Sequence, residues 1–253
     1  MCNKLVKALN GLSFWKKHKL NWVSSTVSTN DDLKSIWRSE DFEHTIEVAD
    51  IQTGGKGQYD RKWASDAIGQ CLMFSFTVDV KEYEFPISLI AGAALASALD
   101  NLGVNSKDFW LKWPNDIWIN DRKLAGILTE STSFSGGFRS VVGIGINILP
   151  LKDKAINAAS LSEAGLSTNR EEVLLEFCKA WDNIFTLSDS EQAELWIKYG
   201  GQFWKRKMNL FLPKGETLIA LPESLEKDGA LIVRKKDGNL EKIISATLIP
   251  IIN

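Results

Sequence analysis

The sequence predicts an α+β fold, in which helices pack on one side of a mixed or antiparallel sheet and a small strand-only unit follows. Strand-like and helix-like segments come in runs, whereas a parallel sheet would alternate them as βαβ units. From Met208 onward, short apolar runs are separated by Lys-Gly and Asp-Gly pairs, and Asp-Gly between such runs favours hairpins. We therefore predict a larger domain over residues 1–206 and a small β domain over residues 207–253.

The predicted elements of the larger domain begin with a helix at Ser28, where Thr29 and Asp32 have the spacing of a capping box. Pro86 suits the first turn of a second helix, and Gly103 suits its end. β-branched alternation and helical apolar spacing indicate the other segments. Strands are expected at 45–50, 72–80, 109–113, 117–119, 124–129 and 141–148, and helices at 86–102, 170–185 and 191–199.

Composition is that of an ordinary globular protein. With 253 residues, 44% of them hydrophobic, the chain can bury a full core without disulfides or metals. The net charge of −2 provides no overall attraction to nucleic acid or membranes. Cys2, Cys71 and Cys178 are widely spaced and include no pair with metal-ligand spacing, as expected of reduced thiols. Because no secretory signal or bilayer-spanning run is present, we expect a cytoplasmic protein.

One segment concentrates charged and polar residues around a tight corner. It runs Lys-Trp-Pro-Asn-Asp over residues 112–116 and is followed by Lys-Leu-Ala-Gly-Ile-Leu over 123–128. Pro114 forces the residue before it into an extended conformation. Gly126 within a strand indicates that another backbone or a ligand comes close. On composition alone, an edge hairpin with solvated lysines would explain the segment more simply.

The same segment resembles the hallmark of the biotin–protein ligase family, Lys-Trp-Pro-Asn-Asp followed by Lys-Leu-x-Gly-Ile-Leu-x-Glu. Residues 112–116, 123–128 and Glu130 match that pattern position for position. Three more segments match in order, and together they make the resemblance specific over about residues 20–165. They are Ser28-Thr29-Asn30, Gln52 with the glycine-rich loop over residues 55–63, and the Gly-x-Gly-x-Asn strand over residues 143–147.

This resemblance implies a class II synthetase-like catalytic domain that binds biotin and ATP over residues 1–206, followed by an SH3-like β-barrel. The implied enzyme forms biotinyl-5′-AMP and transfers biotin to a lysine of a carrier domain, such as that of acetyl-CoA carboxylase. ATP and biotin are substrates in this scheme, and Mg²⁺ comes with the ATP phosphates. A monomer or homodimer is expected, with no nucleic-acid or membrane partner.

The resemblance also assigns candidate site residues. Lys123 is expected to bridge the biotin carboxylate and the α-phosphate, Arg61 to grip phosphate oxygens, and Asp116 to order the reacting groups, with a role as base left open. Ser28, Thr29 and Gln52 would bind the ureido ring of biotin, and Trp63 and Asn147 would hold adenine. The full set of expected binding residues is Ser28, Thr29, Asn30, Gln52, Gly55, Lys56, Gly57, Gln58, Trp63, Lys112, Asn115, Gly126, Gly145 and Asn147.

The glycine-rich loop departs from the usual family pattern at three positions. Lys56 stands where the family commonly has Arg, and lysine lacks the bidentate guanidinium fork. Gln58 stands where Arg is frequent, and Asp60 stands where Gly is usual, which brings a negative charge near the phosphates. These differences bear on how firmly the adenylate is retained and leave the reaction class unchanged.

Three other functions remain open from the sequence. A lipoate–protein ligase shares the fold, although the unbroken Lys-Trp-Pro-Asn-Asp run favours biotin. A bifunctional ligase–repressor would need a DNA-reading module before the catalytic domain, whereas about 20 residues precede the first motif. A non-catalytic biotin-binding protein would have no need of Lys123 or the loop cations.

Overall fold

A computed structural model describes residues 2–39, 42–57, 61–63, 67–80, 85–134, 136–152, 157–213 and 215–251. The helices in these ranges are α1 (Cys2–Leu9), α2 (Thr29–Ile36), α3 (Ile87–Asn101), α4 (Arg170–Ile184) and α5 (Asp189–Gly200). The first seven strands are β1 (Lys19–Thr26), β2 (Thr45–Gln52), β3 (Cys71–Val80), β4 (Phe109–Lys112), β5 (Asp116–Ile119), β6 (Arg122–Phe134) and β7 (Gly137–Asn147). The last five are β8 (Met208–Phe211), β9 (Thr217–Leu225), β10 (Leu231–Lys235), β11 (Leu240–Ile243) and β12 (Thr247–Pro250).

The larger unit is built on one seven-stranded sheet with the order β1-β2-β3-β7-β6-β5-β4. Strands β1 and β2 pair in parallel, and the other neighbours pair antiparallel. The mixed sheet that the sequence predicts is therefore confirmed. Strand β3 lies centrally and is buried over most of its length, as its run of apolar residues requires.

Both faces of this sheet carry helices. The rings of Phe74 and Phe76 in β3 contact Phe177 of α4, at centroid distances of 5.2 and 5.8 Å. Ser75, which lies between them, hydrogen-bonds instead to Asn30 of α2. Because successive strand residues point to opposite faces, α2 lies across the sheet from α4. An arrangement with helices on one side only is therefore wrong, and the cavities described below open on the face of α2.

The second unit is a five-stranded antiparallel sheet with the order β11-β10-β9-β8-β12. Its turns include Gly229 and Gly238, whose φ angles of 74° and 86° favour glycine, as the Asp-Gly pairs predict. This strand-only tail is confirmed and fits a small SH3-like unit. The division into domains at residues 206 and 207 stays a prediction.

The start of the chain differs from the sequence-based expectation. Ser28, and not Thr29, caps α2, since its hydroxyl accepts a hydrogen bond from the backbone N–H of Asp31 at 3.5 Å. Helix α1 and strand β1 were not predicted. Strand β1 is an edge strand with several exposed residues on it, so it lacks the clean apolar alternation that reveals a half-buried strand.

Three side chains of the large unit bind the small sheet beside the corner between β4 and β5. The indole N–H of Trp113 donates to the carbonyl of Gly229 at 2.9 Å. The ammonium group of Lys112 donates to the carbonyl of Leu248 at 3.1 Å. Arg61 donates to the hydroxyl of Thr247 at 2.8 Å. These contacts make β12 one wall of the site.

No helix in the described ranges is long and apolar enough to cross a bilayer.

Candidate active site

A buried carboxylate between two lysines forms the centre of the site. Lys112 ends β4, Asp116 begins β5 directly opposite it, and Lys123 lies on β6 beside them. The Asp116 carboxylate lies 2.6 Å from the Lys123 Nζ atom and 3.1 Å from the Lys112 Nζ atom. Burial by itself would raise the pKa of Asp116, but the two ammonium groups outweigh it and lower that pKa to about 2. Asp116 is therefore ionised at neutral pH.

The two lysines differ in exposure. The Lys112 side chain is 8% exposed, and its ammonium group also lies 4.5 Å from the centre of the Trp118 ring. Burial lowers the pKa of Lys112, against the opposing effect of Asp116. The Lys123 side chain is 33% exposed and lines a cavity. Lys112 is thus held as part of the framework, while Lys123 can meet a ligand.

Trp63 lies over two glycines of the central strands. A Cβ atom on Gly145 would come within 2.5 Å of its indole ring, and one on Gly126 within 3.2 Å. The close approach that Gly126 indicated is therefore made by side chains, those of Trp63 and Lys123. The Lys123 Nζ atom lies 5.7 Å from the centre of the indole ring. The indole nitrogen is buried, and no hydrogen-bond partner for it is found in the part of the chain that the structure describes.

Two cavities open on either side of Trp63. The larger has a volume of about 290 Å³, and its lining includes Arg61, Lys112, Asp116 and Asn147, with Ala246, Thr247 and Leu248 from the small sheet. The smaller has a volume of about 50 Å³, and its lining includes Ser28, Thr29, Asn30, Gln52, Lys56, Gly126 and Gly145. Four residues line both cavities: Gly57, Trp63, Asn115 and Lys123. The two cavities therefore adjoin at these residues, of which Lys123 is the cation.

The far end of the smaller cavity is polar. The backbone N–H of Thr29 donates to the side-chain oxygen of Gln52 at 2.8 Å, which fixes the orientation of that amide. Asn30 lies beside them, and a Cβ atom on Gly143 would come within 2.0 Å of its side-chain oxygen. Gly143 is therefore needed to make room for Asn30, as Gly145 is for Trp63.

The glycine-rich loop places Lys56 and Arg61 differently. Arg61 lines the larger cavity next to β12. Lys56 lines the smaller one, but its ammonium group pairs with Asp31 of α2 at 2.6 Å. Gly57 closes the turn, since its N–H donates to the Arg61 carbonyl at 2.6 Å. Gln58 and Asp60 lie outside the described residues, so their predicted effects stay predictions.

Two asparagines predicted for the site are partly engaged in holding the backbone. Asn115 donates through its side-chain nitrogen to the carbonyl of Ile127 at 2.6 Å. Asn147 donates to the carbonyl of Ala159 at 2.9 Å and so fixes the segment that forms a wall of the larger cavity. The amide oxygen of Asn115 and the cavity-facing surface of Asn147 still border the space where a ligand would lie.

Some site residues carried no sequence signal. Ser75 acts through a side-chain contact with Thr29 of α2, Asp31 acts through its ion pair with Lys56, and Leu248 acts through its backbone carbonyl. Neither kind of contact follows from local spacing, so they could not be assigned before the fold was known.

No group of three or more His, Cys, Asp or Glu side chains in the described ranges is placed to hold a metal ion. Cys71 and Cys178 are both buried, and neither forms a disulfide among the described residues. Asp116, the acidic group lining the larger cavity, has its oxygens paired with two lysines. A divalent ion at this site would therefore depend mainly on ligands brought by a bound molecule.

Sequence comparison relates this chain to known proteins. A model of the Biotin/lipoate A/B protein ligase family matches residues 22–147. The bifunctional ligase/repressor BirA of Bacillus subtilis is 31% identical over 244 residues, which cover 89% of this chain and 71% of that protein. Biotin–protein ligase 2 of Arabidopsis thaliana is 32% identical over 188 residues, which cover 71% of this chain and 56% of that protein.

Structural comparison gives the same relationship. The biotin protein ligase of Aquifex aeolicus, solved with biotin and ATP, matches with a TM-score of 0.74 and 27% identity, covering 91% of this chain and 98% of that one. The matched regions span 56% and 47% of the two Arabidopsis thaliana ligases, so this chain covers about half the length of those relatives.

Proposed function

This chain belongs to the biotin/lipoate protein ligase family, and from that membership we propose that it activates biotin with ATP and transfers it to a lysine of a carrier domain. The observation that carries the proposal is the meeting of two cavities at Lys123. The smaller cavity has the polar end that a ureido ring needs. The larger has the volume and the cations that a nucleotide needs, with Trp63 between the two.

The first step joins two anions, so the site must supply positive charge. A carboxylate oxygen of biotin forms a bond to the α-phosphorus of ATP, and the bond from that phosphorus to pyrophosphate breaks. Lys123 lies where both reacting groups would meet, and Arg61 lines the nucleotide side. Lys123 is held in place by Asp116 at 2.6 Å, which keeps its ammonium group directed at the junction.

Trp63 is placed to contact both parts of the adenylate. Its ring covers Gly145 and Gly126, and Trp63 lines both cavities. Biotin on one side and adenine on the other would each bury apolar surface against the indole. The ligand would then bend around Trp63, with its mixed anhydride beside Lys123.

In the second step the carrier lysine nitrogen attacks the acyl carbon, the acyl–phosphate bond breaks, and AMP leaves. The attacking amine must lose a proton. Asp116 is a poor base, since its pKa is about 2 and both oxygens are occupied by ammonium groups. We assign Asp116 the positioning of Lys123, and the proton passes to solvent.

Mg²⁺ fits this site as a companion of ATP. Asn115 is the residue that would help to hold it. Its side-chain nitrogen donates to the carbonyl of Ile127, which leaves its side-chain oxygen as the atom that could bind the ion. When bound, Mg²⁺ neutralises phosphate charge and orients the triphosphate. The carboxylate of Asp116, already paired, is not needed for that purpose.

The function is tested by incubating the protein with a purified biotin carrier domain, biotin and MgATP, and measuring the intact mass of the carrier. One added biotin on one lysine is the expected result, and a carrier with that lysine changed to arginine is the control. A parallel reaction with lipoate and a lipoyl domain distinguishes the lipoate alternative. Tight biotin binding without transfer or pyrophosphate release would indicate a binding protein instead.

A further inference from the structure

A buried hydroxyl lies behind the smaller cavity and contacts a residue that lines it. Ser75 of β3 is fully buried and does not line the cavity. Its Oγ atom lies 2.6 Å from the side-chain oxygen of Asn30 and 2.6 Å from the hydroxyl of Thr29. Thr29 does line the cavity. Ser75 therefore connects a buried amide to a hydroxyl that a ligand would meet.

The direction of each hydrogen bond follows from the amide of Asn30. Its nitrogen donates to a carboxylate oxygen of Glu130 at 2.9 Å and to the carbonyl of Leu128 at 3.3 Å. Reversing the amide would place its oxygen against two acceptors. The carboxylate is itself held by Lys34 at 2.6 Å. The Asn30 oxygen therefore faces Ser75, and Ser75 must donate its single hydroxyl proton to it.

Thr29 is constrained in turn. With the proton of Ser75 committed to Asn30, the contact of 2.6 Å between the two hydroxyls requires Thr29 to donate to Ser75. Gln52 offers a second oxygen at 3.2 Å, but that oxygen already accepts the backbone N–H of Thr29. The shorter contact takes the proton, so the Thr29 oxygen presents only lone pairs to the cavity.

We propose that Ser75 is a positioning residue that makes Thr29 a hydrogen-bond acceptor, so that the cavity selects a cyclic urea N–H over an oxygen at the same position. The inference rests on the proposed function, because it names how that site discriminates its acid substrate. Gln52 complements it, since the amide whose oxygen faces Thr29 has its donor nitrogen on the other side. An acceptor beside a donor matches a ring in which N–H adjoins C=O.

The test uses two biotin analogues, each a cyclic carbamate in which one ureido N–H is replaced by oxygen. These analogues keep the ring size and remove a single donor. Binding of biotin and both carbamates is measured by calorimetry for the unaltered protein, for Ser75→Ala and for Ser140→Ala. Ser140 is the matched control, because it is also fully buried and bonds to another hydroxyl, that of Ser131 at 2.8 Å.

The unaltered protein should bind one carbamate roughly 10- to 100-fold more weakly than biotin, because two acceptors then face each other. In Ser75→Ala the Thr29 hydroxyl is free to rotate and donate, so discrimination against that carbamate should shrink to about 5-fold or less. Discrimination against the other carbamate should not change. Ser140→Ala should match the unaltered protein in both comparisons.

An equal loss of affinity for all three ligands in Ser75→Ala would overturn the inference, since that is the result of a merely structural role. Ser75→Cys keeps the packing but is a weak acceptor, so it must show the same selective change if the alanine variant does not fold. Failure of the unaltered protein to bind biotin would instead overturn the proposed function, and this inference with it.

Discussion

The indole ring of Trp63 rests against the backbone of Gly145, where a Cβ atom would come within 2.5 Å of the ring. Gly143, two residues earlier in the same strand, leaves room for Asn30 in the same way. The two glycines of this motif therefore serve two different side chains. Gly145 makes room for Trp63, which lines both cavities, and Gly143 makes room for the buried side chain of Asn30 beside the smaller cavity.

Gly145→Ala should displace Trp63 and weaken the binding of both substrates. The added methyl group contacts a rigid ring, which cannot move aside as a flexible side chain could. We expect biotin-dependent pyrophosphate release to fall by an order of magnitude or more, with a raised KM for ATP. Steady-state kinetics at varied ATP and biotin measure this.

Gly92→Ala is the control for that substitution. Gly92 lies in α3, and its added Cβ would meet Leu111 at an ordinary 3.5 Å. Alanine also has a higher helix propensity than glycine. This variant should retain activity and be at least as stable as the unaltered protein. Unchanged kinetics in Gly145→Ala would show that Trp63 does not hold the substrates.

Asp116→Asn should lower the free energy of unfolding as well as slow the reaction. Removing one partner of a buried ion pair leaves the other charge unpaired and typically costs about 3–5 kcal/mol of unfolding free energy. Here Lys112 would be the charge left buried. Denaturant unfolding should show a loss of that order, and Lys112→Met combined with Asp116→Asn should recover part of it.

Asp228→Asn provides the comparison for stability. Asp228 pairs with Lys242 at the surface, where solvent screens the interaction. Its loss should change the midpoint of unfolding little. If Asp116→Asn proves as mild as the surface substitution, the buried cluster does not hold the corner of β4 and β5 together.

His18 should make stability fall in mild acid. Burial lowers its pKa from 6.5 to about 4, with His44 and Lys17 adding to the effect against hydrogen bonds to backbone carbonyls. Between pH 6.5 and about pH 4, His18 takes up a proton in the unfolded chain but not in the folded chain. The contribution of His18 to the free energy of unfolding is therefore fully present above pH 6.5. It is lost as the pH falls toward 4, by roughly 2–3 kcal/mol.

Unfolding free energies measured from pH 7 to pH 4 test this, and His18→Phe is the informative variant. Phenylalanine retains the stacking on Phe14, whose ring centre lies 4.8 Å from that of His18. It cannot titrate, so the slope of stability against pH should flatten. An unchanged slope would assign the acid sensitivity to other groups, with His44 the first to examine because burial lowers its pKa too.

The sequence predicts the mixed sheet, the strand-only tail and the convergence of the motifs. Residues 112–116 could be placed together because a short Pro-containing corner brings Lys112 opposite Asp116. The pairing of Lys56 with Asp31 could not be predicted, because it joins a loop to a helix 25 residues away in the chain. The carbonyl groups of Gly229 and Leu248 could not be predicted either, since any residue type supplies a carbonyl.

In the proposed mechanism, Lys123 stabilises the developing charge where the two cavities meet. Removing one preorganised donor to such a charge typically lowers the rate by roughly 10²–10³. Lys123→Ala should therefore slow adenylate formation by about that factor, and Lys152→Ala should not, because Lys152 is exposed and lines neither cavity. Arginine at position 123 should rescue only in part, since its planar fork has a different shape from the ammonium group.

The direct measurement is pyrophosphate release with biotin and MgATP, made beside carrier labelling from preformed biotinyl-AMP. We expect Lys123→Ala to fail in the first assay and to label the carrier at a near-normal rate in the second. Pyrophosphate release at the rate of the unaltered protein would contradict it.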